Sequence, residues 1–163
     1  VLTDNEQQFN PSFHPFSWPL GTVYNLNPNT QIYGQYSTAI TPVSSLLGIS
    51  TANGNVDLSK GKSAELGFKS SILDGKLDMI GSIYWIELND ILTRDPNNIN
   101  LTVQGGQQVS KGAEFTASAA ITSQLKANVG LSWVDAEYKE LIEAGGANRS
   151  GNQPVNVPEK VAN

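Results

Sequence analysis

The chain is predicted to be all-β, an antiparallel meander of about six or seven long strands. Three observations predict it. Apolar and polar residues alternate with a period of two over long stretches. Turn-forming residues punctuate those stretches. Short connections then alternate with long ones along the chain.

The elements follow in order. Thr22 to Leu26 and Gln31 to Thr38 flank Asn27-Pro28-Asn29-Thr30, a hairpin whose turn is fixed by proline. Ala64, Leu66 and Phe68 alternate with Ser63, Glu65, Gly67 and Lys69. The turn Leu73-Asp74-Gly75 follows, where Asp-Gly readily takes positive φ. A strand then starts at Lys76, with Leu77, Met79, Gly81, Ile83 and Trp85 as its more apolar set; Ile80, Tyr84 and Ile86 blur the contrast. The clearest pair comes last. Ala113, Phe115, Ala117, Ala119 and Ile121 alternate with Gly112, Glu114, Thr116, Ser118 and Ala120. After a turn at Thr122-Ser123, Leu125, Ala127, Val129, Leu131 and Trp133 alternate with Lys126, Asn128, Gly130 and Ser132. The shared parity predicts Ala113, Phe115, Leu125, Val129 and Leu131 on one side of a sheet, with Glu114, Lys126 and Asn128 on the other.

The predicted turns at 27–30, 73–75 and 122–123 are short. Segments 39–61, 94–106 and 140–157 are long and rich in Asn, Gly, Pro and Ser. A transmembrane barrel with tight turns on one rim and long loops on the other shows this rhythm. A soluble β-sandwich can also have unequal loops, and alternation alone does not separate the two. Lys62-Ser-Ala-Glu-Leu66 echoes Lys111-Gly-Ala-Glu-Phe115, either by coincidence of strand requirements or as a repeated hairpin unit.

Composition narrows the function. Of 163 residues, 39% are hydrophobic and 15% charged, and uncharged polar residues take the place of most of the usual charge. A net charge of −5 leaves no basic face for phosphates, so a nucleic-acid partner is not expected. With no cysteine, disulfides and thiolate metal sites are excluded. No apolar run approaches the roughly 20 residues of a membrane helix; the densest cluster, Leu46-Leu47-Gly48-Ile49, is far shorter. The chain starts at Val1 without a signal peptide, which reads as a piece of something longer.

No catalytic constellation can be assembled. His14, the single histidine, lies between Phe13 and Pro15 with no local partner. Asn53, Asn55 and Asp57 have the spacing of calcium-loop ligands but lack the distal Glu, so they read as a polar loop. Gly105-Gly106 lacks the strand–helix setting of a phosphate loop and reads as a bend or strand entry. Asp90, Arg94 and Asp95 read as a solvated rim. Trp18, Trp85 and Trp133 fit a membrane-interface belt or ordinary sheet packing. Accordingly neither catalytic nor metal-ligating residues are expected, and no cofactor.

A succession of segments nonetheless carries a family resemblance. Asn27-Pro-Asn-Thr-Gln-Ile-Tyr-Gly-Gln-Tyr-Ser-Thr-Ala39, Ser59-Lys-Gly-Lys-Ser-Ala-Glu-Leu-Gly-Phe-Lys69 and Asn89-Asp-Ile-Leu-Thr-Arg-Asp-Pro96 come first. Gln107-Gln-Val-Ser-Lys-Gly-Ala-Glu-Phe115, Val134-Asp-Ala-Glu-Tyr138 and Asn156-Val-Pro-Glu-Lys-Val-Ala-Asn163 follow in the same order. Together they resemble TonB-dependent outer-membrane receptors of the ferric-siderophore type. The resemblance implies a partial barrel domain over residues 1–163, from a barrel of about 22 strands closed around a plug. The plug, which carries the TonB-contacting segment, and the terminal strands are not recognised here. It further implies a bacterial outer-membrane location and TonB-driven import of a ferric siderophore. A receptor for cobalamin or a glycan, and a soluble or secreted β-sandwich binding module, remain as alternatives. Partners implied are the ferric siderophore, TonB through the plug, and outer-membrane lipid. Loops 39–61, 94–106 and 140–157 are the candidate ligand-binding segments, without named contacts.

Overall fold

The first hairpin forms where proline interrupts the ladder. β1 (Pro19–Asn27) and β2 (Thr30–Thr41) run antiparallel on either side of Pro28-Asn29, and Asn27 Oδ1 accepts the Asn29 N–H at 2.9 Å. This is a computed structural model that describes residues 14–41, 58–95, 97, 98, 100 and 102–163. β3 (Ser59–Ile72) pairs with β2 from Ser59 to Ser70 and with β4 (Leu77–Asn89) on its other side. The turn between β3 and β4 holds Leu73, Asp74 and Gly75 at φ of 56°, 55° and 77°. Aspartate and glycine tolerate this left-handed region, whereas leucine does so at a cost of about 1–2 kcal/mol. Leu73 is exposed and its side chain gains nothing there. Leu73→Asn is therefore expected to stabilise the intact protein by about 0.5–1 kcal/mol, read as a higher urea midpoint at unchanged slope.

Beyond β4 the hairpin continues past the main sheet. β5 (Leu92–Arg94) pairs with β6 (Thr102–Gln104), and Ile91 exchanges backbone bonds with Gly105 and Gly106 at 3.3 and 3.2 Å. Gly105-Gly106 is thus the entry to β7 (Gln107–Ala120), as expected. β7 pairs with β4 and with β8 (Lys126–Glu140). β9 (Ile142–Glu143) and β10 (Ala147–Asn148) make a small hairpin around a single 3-10 turn, and β11 (Lys160–Ala162) returns alongside β8. Seven strands form one antiparallel sheet, ordered β1-β2-β3-β4-β7-β8-β11, so β1 and β11 are its open edges.

Several boundaries differ from expectation. The turn after β7 spans Ile121 to Leu125 rather than Thr122-Ser123 alone. Its shape comes from the Thr122 hydroxyl, which accepts the N–H groups of Gln124 and Leu125 at 3.2 and 3.0 Å. Leu125 therefore lies in the turn, and β8 begins at Lys126. The long segments are also shorter than predicted, because the ladder continues wherever backbone partners remain: β2 reaches Thr41, β3 starts at Ser59, and 94–106 contains β6.

Register fixes the faces, since directly paired residues point to the same side of a sheet. Ala113, Phe115, Ala117 and Ala119 pair with Trp133, Leu131, Val129 and Ala127; Glu114, Thr116, Ser118 and Ala120 pair with Ser132, Gly130, Asn128 and Lys126. The facing predicted for this hairpin holds at every strand position. The apolar face continues through Ile83, Met79 and Leu77 of β4, Leu66 and Phe68 of β3, Ile32 and Tyr36 of β2, and Leu20 and Tyr24 of β1. No large side chain is fully buried among the described residues, and Leu20, Leu66, Ile83, Val129 and Leu131 stand exposed. A wide sheet with one bare apolar face is not a self-sufficient core in water.

Candidate functional site

The opposite, polar face holds the densest side-chain network. Glu65 of β3 is its centre. Its Oε1 accepts the Tyr33 hydroxyl at 2.6 Å and its Oε2 accepts the Gln35 amide at 2.9 Å, while Ser37 and Ser63 share a hydrogen bond of 2.8 Å beside it. The Lys69 ammonium lies 5.5 Å from the Tyr33 ring centre, within cation–π range. Glycine makes this arrangement possible at two points. The Tyr33 ring lies across Gly67, where a Cβ would come within 2.5 Å of it, and the Tyr84 ring lies across Gly112 in the same way. Each tyrosine thus lies flat on the sheet instead of standing off it.

The sequence echo now has a geometric meaning. β4 pairs with both β3 and β7, so Glu65 stands opposite Tyr84 and Glu114 stands opposite Ser82. The two echoed glutamates therefore flank one strand on the polar face. A hollow of about 390 Å³ lies between them, lined by Ser63, Glu65, Tyr84, Ile86, Ser110 and Glu114. The echoed lysines, Lys62 and Lys111, point to the other face. Ile80 and Ile86, which blurred the pattern of β4, lie on the polar face at 44% and 43% exposure. That face is thus amphipathic, with two carboxylates and bare isoleucines on one strand trio. Sequence reasoning set Glu65 and Glu114 in the polar alternation of their strands but gave the tyrosines no role; the Gly67 and Gly112 positions were the available signal.

The second feature is the rim opposite the short turns. Here the β5–β6 and β9–β10 hairpins meet, the Thr93 hydroxyl donating to the Ile142 carbonyl at 3.0 Å. Leu141 is buried, and its side chain lies close enough to Gly106 that a Cβ there would meet it at 3.3 Å. Segments 94–106 and 140–157 are thereby held side by side. Most of 39–61 (residues 42–57, with Leu46–Ile49, Asn53, Asn55 and Asp57) lies outside the described residues. The third segment is tied down along β8: Tyr138 N–H donates to Asn152 O at 3.0 Å, and Val134 N–H to Glu159 O at 2.8 Å. Arg149 bonds Glu143 at 2.9 Å across the small hairpin.

The weaker features take structural roles. Asp95 Oδ1 accepts the Asn97 and Asn98 N–H groups at 2.7 and 3.0 Å, and Asp90 lies 3.6 Å from Lys60, as expected of a solvated rim. His14 is exposed ahead of β1. Among the described residues, no cluster of three His, Cys, Asp or Glu could hold a metal ion. Trp18, Tyr36, Trp85 and Trp133 all lie on the apolar face towards the long-connection rim, Trp18 and Tyr36 with ring centres 5.6 Å apart.

An open antiparallel sheet with one lipid-like face, one polar face and an aromatic row near one rim has a counterpart among known proteins. A family model described as TonB dependent receptor-like, beta-barrel matches residues 2–163. The chain belongs to that family. The Escherichia coli K12 ferrichrome outer membrane transporter/phage receptor is 30% identical over 148 residues, which is 90% of this chain and 19% of that protein. The metal-pseudopaline receptor CntO of Pseudomonas aeruginosa is 27% identical over 140 residues, 86% of this chain and 19% of that one. The solved ferric-catecholate import receptor Fiu of E. coli K12 superposes with a TM-score of 0.68 at 18% identity, covering 88% of this chain and 21% of its own. The chain thus spans about a fifth of the length of the relatives it matches, which are transporters and receptors by name. As a segment of a TonB-dependent receptor barrel, its apolar face is the lipid face and its polar face lines the lumen. A β-sandwich requires a second packed sheet, and family membership removes that alternative.

Proposed function

We propose that this chain is part of the barrel of a bacterial outer-membrane receptor that imports a ferric siderophore, driven by TonB. The observation that carries the reading is the sheet itself. Its lipid face is unbroken, its lumen face is polar, and its long connections gather on one rim, in a chain whose relatives include a ferrichrome transporter. In such a barrel the long-loop rim faces outward, so β5–β6, β9–β10 and the rim ends of β2 and β3 sit where cargo arrives. Iron enters wrapped in its chelator, so the protein supplies a shaped surface rather than metal ligands, and no catalytic step is required. The lumen face suits a plug: Glu65 and Glu114 offer carboxylate acceptors, and Ile80 and Ile86 offer apolar surface that water alone would not cover. TonB acts through that plug, and lipid surrounds the outer face.

The CntO relative favours one neighbouring reading, a receptor for a different metal chelate; cobalamin and glycan cargo are further options within this architecture. The test uses the tip of the β5–β6 hairpin. Deleting residues 95–101 from the full receptor leaves the Leu92–Arg94 and Thr102–Gln104 ladder intact, so the barrel should insert normally. Uptake of radio-iron supplied as the chelate that supports growth is expected to fall about tenfold, the scale of losing one moderate contact at about 1.4 kcal/mol. Unchanged uptake kinetics would remove this hairpin from the ligand path.

A further inference from the structure

Each of the two rim hairpins is too short to hold its own shape. β5–β6 pairs over three residues a side and β9–β10 over two. A lone two-stranded hairpin is marginal in water even when longer, so each depends on what it rests against. At the barrel they are anchored separately. The bonds from Ile91 to Gly105 and Gly106 carry β5–β6 up from β4 and β7. The Gly151 N–H donates to the Tyr138 carbonyl at 2.7 Å, holding the return from β10 against β8. Beyond those anchors the two hairpins rest on each other.

Their joint has two parts. Leu141 is 6% exposed, and its side chain closes on Gly106 together with Ile91: a Cβ added at Gly106 would meet them at 3.3 and 3.2 Å. The Leu141 carbonyl meanwhile accepts the Arg149 N–H at 2.8 Å and so closes the β9–β10 hairpin. Leu141 therefore belongs to both hairpins. Its neighbour Ile142 stands 46% exposed, and the Ile142 carbonyl accepts the Thr93 hydroxyl of β5 at 3.0 Å. Thr93 lies two residues further along the chain than Ile91. One contact would leave a pivot; two separated contacts fix how one hairpin is set against the other.

We infer that β5–β6 and β9–β10 open and close as one cooperative unit, with Leu141 and Thr93 as the positioning residues that couple them. Coupling of this kind is reciprocal. On the reading of this rim as the cargo face, a chelate that touches either hairpin is therefore read by both, and specificity is a joint property of residues 91–106 and 141–149. The test is hydrogen exchange of the full receptor in detergent micelles without cargo, read by mass spectrometry. It is thus independent of the uptake measured after deleting 95–101, which tests the cargo face itself. Thr93→Val keeps the side-chain shape and a strong strand preference and removes only the hydroxyl. It is expected to speed exchange about threefold in 91–106 and in 141–149 alike, the scale of one exposed hydrogen bond lost. Thr93→Ser should keep the native rates. Leu141→Ala should speed both segments by more, about thirtyfold. The peptide carrying Gly151, anchored on β8, should not change in Thr93→Val. Heat-modifiable gel mobility reports that the barrel of each variant is folded. In a folded Thr93→Val barrel, acceleration of one segment alone, or of neither, would overturn the inference.

Discussion

Leu131→Arg is expected to cost the full receptor about 2–4 kcal/mol of barrel stability, because it places a guanidinium on the lipid side near the middle of the apolar band. Leu131 pairs with Phe115 on one side and Ala162 on the other, and both point outward with it. No acid stands near enough in register to neutralise the new charge, and lipid cannot hydrate it. The adjacent residue supplies the control. Ser132 pairs with Glu114 on the lumen face, so Ser132→Arg meets a carboxylate and water and should change stability by less than about 1 kcal/mol. Both variants can be measured by denaturant unfolding from lipid vesicles. Equal losses at 131 and 132 would show that the two faces have been misassigned.

That prediction rests on the part of the structure most legible in the sequence. A period of two is a direct image of the pleat, so the facing of β7 and β8 could be read from Ala113 to Trp133 before any coordinate. Where legibility failed, the cause was a side chain acting on backbone. Thr122 captures two N–H groups and widens its turn, a local competition that residue type alone leaves undecided. Segment 94–106 was read as loop because it is rich in Asn, Gly and Pro, yet its Thr102–Gln104 forms a ladder with Leu92–Arg94. Above the membrane a strand needs backbone partners but no apolar face, so alternation is no longer a signal there. β4 was ambiguous for a different reason. Its lumen side carries Ile80, Tyr84 and Ile86, and Tyr84 is accommodated by a glycine on the neighbouring strand that no single-strand pattern reveals. The Glu65 network is likewise a product of register between two strands, visible only once Tyr33 and Gln35 of β2 are aligned with Glu65 and Gly67 of β3.

The 163 residues expressed alone are expected to form no closed monomeric barrel. The sheet has two free edges: β1 presents the outer row of backbone groups along Pro19–Asn27, and β11 presents another beyond Lys160–Ala162. In water such rows template pairing with other chains. In a detergent or lipid core each unpaired group costs several kcal/mol, so two open edges outweigh any single side-chain contribution in the molecule. Joining β1 directly to β11 would satisfy them only at a much tighter curvature. Strand number, stagger and tilt are linked, and a tilt of about 35° is shared by barrels of very different width. The lumen face decides against the narrow one. Seven strands would bring Tyr33, Tyr84, Glu65, Glu114, Lys69, Lys126 and Ile86 into an interior with room for small side chains only. Refolded into detergent micelles and sized by light scattering, the isolated chain should therefore appear as oligomers or aggregates, with strand content by circular dichroism but no heat-modifiable band. A monodisperse, heat-modifiable monomer would show that these strands can close on themselves, and that the wide-barrel geometry inferred from their faces is wrong.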